Sequence, residues 1–386
     1  MRSFYSETFL FSLATFFLIS LVALKTTAFA QPVSNISRLQ FLGQYEIPYA
    51  KQFRNTTIGG LSGIDYDAAN KRYYLICDDR SAINPARYYT ANITITGKMI
   101  TSMHFTGVQQ LLQPNGKSYP GNKQDRFHTP DPEAMRYDPK QKKLTWSSEG
   151  ERIVSRKDTV LVNPSIIAIS TKGNYFKSYI LPHHLDMKAI EKGPRQNGVL
   201  EGLTFADNYS TLYANVEEPL YEDGPRADTL TNDAYIRILK FDVARKKNTQ
   251  QFAYKLEPVA YPPFPADAFK INGVPDILSI GKNKLLVIER SFSGGILGCN
   301  IKLFIAELHD ATDIKDIPSL TRSTHFIPAT KKLLLNMDTL GIFIDNIEGV
   351  SFGPPLPNGH KTLLFVSDNN FNPLEKSQLL LFEVIE

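Results

Sequence analysis

Short runs rich in Ile, Val, Leu, Tyr and Phe recur along this chain, broken by Gly, Pro, Asn and Asp. That is strand patterning. Helical spacing is scarce, and one short helix is expected at residues 185–192. The strand-like runs also repeat at a long period. Each unit opens with a small or acidic residue just before an apolar run. These are Ser62 in Leu61-Ser62-Gly63-Ile64, Glu133 in Pro132-Glu133-Ala134-Met135 and Glu201 in Leu200-Glu201-Gly202-Leu203. Asp276 in Pro275-Asp276-Ile277-Leu278 and Glu348 in Ile347-Glu348-Gly349-Val350 follow. The successive intervals are 71, 68, 75 and 72 residues.

Each unit then continues alike. Second runs fall at residues 73–79, 144–149, 212–217, 285–290 and 363–368. Third runs fall at 86–93, 165–170, 235–241, 301–308 and 378–384. Fourth runs are clear at 175–182 and 251–258 and weaker at 103–111 and 332–337. The last unit lacks a fourth run, and residues 39–48 at the other terminus supply one. The expected fold is all-β: a β-propeller of five four-stranded blades, closed by the N-terminal strand joining the C-terminal blade. Closure removes the exposed sheet edges. Long loops are expected at 94–129, 218–234, 258–274 and 309–331. Six blades follow if one of them hides a degenerate blade. A pair of packed sheets or an irregular barrel is the remaining alternative.

Composition changes this picture little. Arg2, the apolar run 9–24 and Ala28-Phe29-Ala30 predict a signal peptide at 1–30, cleaved after Ala30. The run is about 16 residues, shorter than the ~20 a spanning helix needs. A single domain at 31–386 is expected, secreted or periplasmic, with no membrane span after cleavage. The formal charge of +4 is too mild to argue for nucleic acid. Cys77 and Cys299 are the only cysteines. Export permits them to pair, but Cys77 stands in an apolar strand and is expected in the core. Trp146 is likewise expected in the core, and His183-His184 in a loop.

The first strand of each propeller blade lines the central channel. Ser62, Glu133, Glu201, Asp276 and Glu348 are therefore expected to form a ring. Gathered carboxylates repel one another and ionise at a cost unless a cation joins them. Oxygen-only ligands favour Ca²⁺, with Mg²⁺ as the alternative. The hairpin of strands one and two brings Asp79, Glu149, Glu217 and Asp368 to the same rim, where Glu289-Arg290 stands in unit four. Asp79, Glu149 or Glu217 is the candidate base, and Arg80, Arg152 and Arg290 are candidate clamps for an anion, phosphate above all. The partner expected is a small anionic, phosphorylated substrate, on a monomer. No nucleophile elbow, P-loop or dinucleotide fingerprint is present.

Four segments together resemble the phytase-like domain family. They are Leu61-Ser62-Gly63-Ile64-Asp65-Tyr66, Asp131-Pro132-Glu133-Ala134-Met135, Asn197-Gly198-Val199-Leu200-Glu201-Gly202-Leu203 and Asp345-Asn346-Ile347-Glu348-Gly349-Val350. The resemblance spans roughly residues 40–385. These are exported proteins described by an esterase-like activity of phytase, so the resemblance implies phosphomonoester hydrolysis. The β-propeller phytases hold calcium at a channel mouth, and the ring is similar in type to that of calcium-activated nucleotidases. The expected function is thus a calcium-dependent phosphoesterase working at the channel mouth. Its rivals are a non-catalytic binding propeller with a structural central cation, and a calcium-dependent carboxylic-ester or lactone hydrolase.

Overall fold

The strand Thr362–Asp368 explains why the apolar runs are continuous rather than alternating. Leu363 and Phe365 face a core shared with Leu286, Ile288 and Leu303. Leu364 and Val366 face another, shared with Leu75 and Tyr89. A strand buried on both faces carries apolar residues at every position. Lys284–Ser293 does the same, with Leu286 and Ile288 on one side and Leu285 and Val287 on the other. Every sheet thus lies between two others, and the main apolar cores are the layers between neighbours. Each fully buried Leu, Ile or Val contributes about 1.5–3 kcal/mol.

This computed structural model describes residues 35–230, 233–323 and 325–386; the signal peptide expected at 1–30 lies outside them. It is an all-β propeller of five blades, each built on four antiparallel strands. Blade one runs outward through Gly63–Asp67, Arg72–Cys77, Arg87–Thr96 and Met99–Gln110. Blade two uses Pro132–Asp138, Lys143–Ser148, Ser165–Ser170 and Tyr175–Ser178. Blade three uses Leu200–Ala206, Thr211–Val216, Tyr235–Asp242 and Lys247–Lys255. Blade four uses Ile277–Gly281, Lys284–Ser293, Asn300–Glu307 and Thr330–Asn336. Blade five uses Asn346–Phe352, Thr362–Asp368 and Ser377–Ile385, and its outer strand is the N-terminal Arg38–Ile47. That strand pairs antiparallel with Ser377–Ile385, from Arg38 opposite Ile385 to Ile47 opposite Ser377. The clasp closes the ring.

Two expectations need correction. The helix at 185–192 is absent; a single 3₁₀ turn, His183–Leu185, precedes an irregular segment whose polar residues have no apolar stripe to bury. The loop expected at 94–129 contains the long outer strand Met99–Gln110. Among the described residues no sixth blade hides in the connections. They hold instead the hairpin Glu151–Val154 with Thr159–Val162, and the strand Lys270–Gly273, which extends blade four. Cys77 is buried and donates to the Gly59 carbonyl; neither cysteine is in a disulfide. Trp146 is fully buried. Among the described residues no helix is long and apolar enough to cross a membrane.

The channel is not open along its length. Arg136, on the inner strand of blade two, crosses it. Its Nε donates to the Leu203 carbonyl of blade three at 2.5 Å, and its Nη1 to the Ile64 carbonyl of blade one at 2.5 Å. Its Nη2 reaches both oxygens of Asp276 of blade four, at 2.8 and 2.6 Å. Asp276 in turn accepts the Val350 N–H of blade five at 2.9 Å. One buried ion pair therefore ties all the blades together. Burial pushes Asp276 up to about 6 despite the Arg136 guanidinium beside it.

Arg136→Leu leaves the Asp276 carboxylate buried without its partner. We expect a loss of about 3–5 kcal/mol in urea denaturation. A loss under about 1 kcal/mol would show that the channel groups find other partners.

Candidate functional site

Three of the ring acids share one local geometry. The pairing of inner and second strands slips by one residue between Pro132 and Met135, between Leu200 and Leu203, and between Ile347 and Gly349. Glu133, Glu201 and Glu348 sit in these slips. A β-bulge of this kind bends the strand and re-aims a side chain. The glycine after the acid has its own reason. A Cβ on Gly202 would lie 2.8 Å from the Asp276 Cα, and one on Gly349 would lie 3.0 Å from the Gly63 Cα. The acid-Gly phrase thus combines a re-aimed carboxylate with close approach of the next inner strand.

Glu133, Glu201 and Glu348 all line one cleft of about 720 Å³ at the propeller mouth. Glu217, Arg80 and Arg290 line it too. Glu149 follows its second strand directly and lies against Glu133. Asp368 ends the second strand of blade five and hydrogen-bonds Asp78.

The other candidates are employed elsewhere. Asp276 pairs with Arg136 in the channel, because its strand has no bulge at that point to turn the side chain toward the mouth. Ser62 donates its hydroxyl to the Glu133 carbonyl at 2.7 Å, and so braces the bulge. Asp79 is ion-paired with Arg87 at 2.7 Å and accepts the N–H groups of Ala82, Ile83 and Asn84. Asp78 lines the cleft in its place. Arg152 donates to the carbonyls of Lys188 and Ile190 and stacks on Tyr221, holding a loop rather than facing the cleft. In blade four Glu289 turns away to Lys331, and Arg290 takes the rim.

Charge is poorly balanced here. Arg290 bridges Glu217, at 2.7 Å, and Glu348. Arg80 bridges Glu151 at 2.5 Å and Asp131 at 3.4 Å. Asp78, Glu133, Glu149, Glu201 and Asp368 have no ion pair with either. Burial, then the charge of Glu201, holds Glu133 well above the usual carboxylate range. Burial, then Glu149 and Glu217, does the same to Glu201. Burial pushes Glu149 up to about 7, and Asp78 and Glu348 up to about 8.

The donor set fits a hard cation. Asp131, Glu133 and Glu149 each offer an oxygen, all within 4.8 Å of one another, and all three are buried. Oε2 of Glu149 and Oδ2 of Asp368 are buried without a hydrogen-bond partner. An all-oxygen set suits Ca²⁺ or Mg²⁺ rather than Zn²⁺. Asp131 was signalled in the sequence only by its place two residues before Glu133. Asp78 was masked by Asp79 beside it.

The fold and its mouth define a closed five-bladed propeller with an under-neutralised carboxylate cleft. The chain belongs to the phytase-like family, described by esterase-like activity of phytase, whose family model matches residues 56–371. The clasp strands Arg38–Ile47 and Ser377–Ile385 lie outside that match. No curated protein matches the chain in sequence. Among solved structures it is similar to a thermostable family-43 glycoside hydrolase, at 12% identity and a TM-score of 0.48, over 87% of this chain and 91% of the other. It is similar to an endo-arabinase from Bacteroides thetaiotaomicron at 12% identity and a TM-score of 0.41, over 85% and 95%. For the α-L-arabinofuranosidase of Lactobacillus brevis the values are 9% and 0.44, over 87% and 94%.

The raised acids set a pH dependence. A carboxyl whose pKa is higher folded than unfolded stabilises fully below its unfolded value, and that stability is lost as pH rises through the folded value. For Glu149, Asp78 and Glu348 the window runs from about 4 up to about 7–8. With a chelator present, the melting temperature is expected to fall by several degrees across that window. Added Ca²⁺ should reverse the fall. A flat profile with chelator would refute the charge excess.

Proposed function

We propose that the mouth is a calcium-dependent phosphoesterase site acting on phosphate monoesters. One observation carries this reading: the buried trio Asp131, Glu133 and Glu149, with an unpartnered oxygen on Glu149. The family description, which names an esterase-like activity, supports ester hydrolysis as the reaction class. Asp131, Glu133 and Glu149 would hold the ion, with Glu201 beside them, and Mg²⁺ is the alternative. Bound there, calcium supplies charge neutralisation for the phosphate and lowers the pKa of an attacking water.

The chain's own groups divide the remaining work. Arg80 is partly exposed on the cleft wall and can take a phosphate oxygen in a charge-assisted bond. Arg290 is half-buried between Glu217 and Glu348 and positions both carboxylates. Asp78 and Asp368 share a hydrogen bond, and Asp78 is pushed to about 8, so at neutral pH the pair holds a proton. That proton can go to the leaving oxygen in general acid catalysis.

Calcium measured by elemental analysis in the purified mature protein, in wild type and Glu133→Gln, tests the site. We expect bound calcium in the first and its loss in the second. Hydrolysis of a panel of phosphate monoesters should stop with EDTA and return with Ca²⁺. Asp78→Asn should lower kcat by about 10²–10⁴-fold. Equal calcium in both proteins would sink the trio. Turnover of carboxylic esters or lactones alone would move the reading to a hydrolase of those bonds. A calcium-dependent melting temperature with no turnover of any ester would favour a structural ion in a binding propeller.

A further inference from the structure

The cleft has a second, apolar half. The strand Lys270–Gly273 pairs with the outer end of Lys284–Ser293, with Gly273 opposite Arg290 and Ile271 opposite Phe292. Strand side chains alternate between faces, so residues two apart share one. Arg290 and Phe292 therefore stand on a single face, and Ile271 and Phe269 continue it on the partner strand. The Phe269 and Phe292 rings pair at 6.2 Å between centroids. At its inner end this face begins with the ion pairs of Arg290 to Glu217 and Glu348. A Cβ on Gly273 would meet the Glu217 side chain at 2.7 Å, so the glycine lets that pair form beneath the ledge. Ile296, Leu297 and Leu374 line the same cleft from other segments.

Ile271 is buried and Phe292 half-buried, but the rest of the wall is open to water. Leu297 and Leu374 are each 86% exposed and Phe269 is 57% exposed. Single exposed apolar residues are ordinary, but a group of them walling one concave cleft marks a binding surface. The wall and the acidic floor belong to one cavity of about 720 Å³, within the range of small-molecule sites. The strand pair that carries the wall also carries Arg290, whose ion pairs to Glu217 and Glu348 join it to the floor. A ligand polar throughout would leave the wall exposed to water and lose its contribution.

We propose that this wall is a specificity subsite, and that the substrate is an amphiphile: a phosphate monoester of an apolar alcohol. This rests on ester hydrolysis at the acidic floor. The phosphate lies toward Arg80 and the acids, and the alkyl or aryl group lies on Ile271, Phe292 and Leu297. In the reaction, a water oxygen bonds to phosphorus and the ester P–O bond breaks. The alcohol departs with one proton, and inorganic phosphate remains.

Monoalkyl phosphates from methyl to octyl, assayed with Ca²⁺, test this. In the wild type kcat/KM is expected to rise about two- to fourfold per methylene group until the wall is covered. In Leu297→Ser/Leu374→Ser the octyl-to-methyl ratio should collapse toward one. Both residues are exposed, so the fold should tolerate the changes. Turnover that is flat with chain length overturns the subsite while the acidic floor stands. If no ester turns over, the hydrolase reading falls, and octylphosphonate binding by calorimetry judges the wall alone. Binding with a negative heat-capacity change, lost in the double variant, upholds it; absent binding overturns it. Sedimentation with phosphatidylcholine vesicles that the double variant abolishes, together with a flat profile, would assign the wall to a membrane surface and also overturn it.

Discussion

The ion pair between Arg136 and Asp276 is the constraint on which the other features of this propeller depend. A ring of inner strands leaves backbone carbonyls and N–H groups pointing into a narrow channel, away from any ladder. Such groups are costly to bury unpaired. One guanidinium and one carboxylate answer for all the blades: Arg136 reaches Ile64, Leu203 and Asp276, and Asp276 reaches Val350. Only an arginine has a planar fork of donors wide enough for this. The arrangement also separates two regions. Positive charge in the channel comes from the chain itself, so Asp276 asks for no added ion. Glu133, three residues back along the same inner strand as Arg136, belongs to the mouth.

Bulges convert that division into a site. An unbroken inner strand would alternate its side chains between the neighbouring blades. One extra residue in blades two, three and five breaks the alternation where Glu133, Glu201 and Glu348 stand. Blade four keeps its register at Asp276, and that side chain serves the channel, while blade one places a serine, Ser62, where the acids stand, and it braces the bulge of blade two. A fold with near-equivalent blades thereby acquires a lopsided mouth. Acids crowd toward blades two and three, the Arg290 cation stands on blade four, and the apolar ledge extends beyond it.

The blades were legible because strands buried on both faces write themselves as continuous apolar runs. The clasp was legible because residues 39–48 supplied the strand missing from the last unit. Equal intervals between acids were a weaker guide. They located Glu133, Glu201 and Glu348, but an interval carries no information about a bulge, so Asp276 was counted among equals. In Cys77-Asp78-Asp79-Arg80 the strand ends at Cys77, and the turn after it decides which acid enters the cleft. Arg136 lies in Met135-Arg136-Tyr137, which looks like any strand with an outward charge. The ledge at Lys270–Gly273 fell within a stretch expected to be loop, because a strand of that length has too little pattern to stand out.

How the chain treats its other buried acids bears on what the mouth is for. Asp79 has Arg87, Asp223 has Arg237, Asp276 has Arg136 and Glu289 has Lys331, each within 2.7 Å. Buried carboxylates are tolerable when a cation and hydrogen bonds meet them, and one unpaired carboxylate can cost more than a whole pair gains. The same chain leaves Asp78, Glu133, Glu149, Glu201 and Asp368 together at the mouth, drawing on arginines already engaged by Glu217, Glu348, Asp131 and Glu151. The fold can therefore supply a cation to a buried acid, and at the mouth it supplies too few. A cluster of this kind costs stability when its acids ionise, and that cost is offset when positive charge arrives from outside the chain. The cation proposed for the mouth would supply that charge to the acidic half, and the amphiphile proposed for the cleft would bring both characters at once to the two halves.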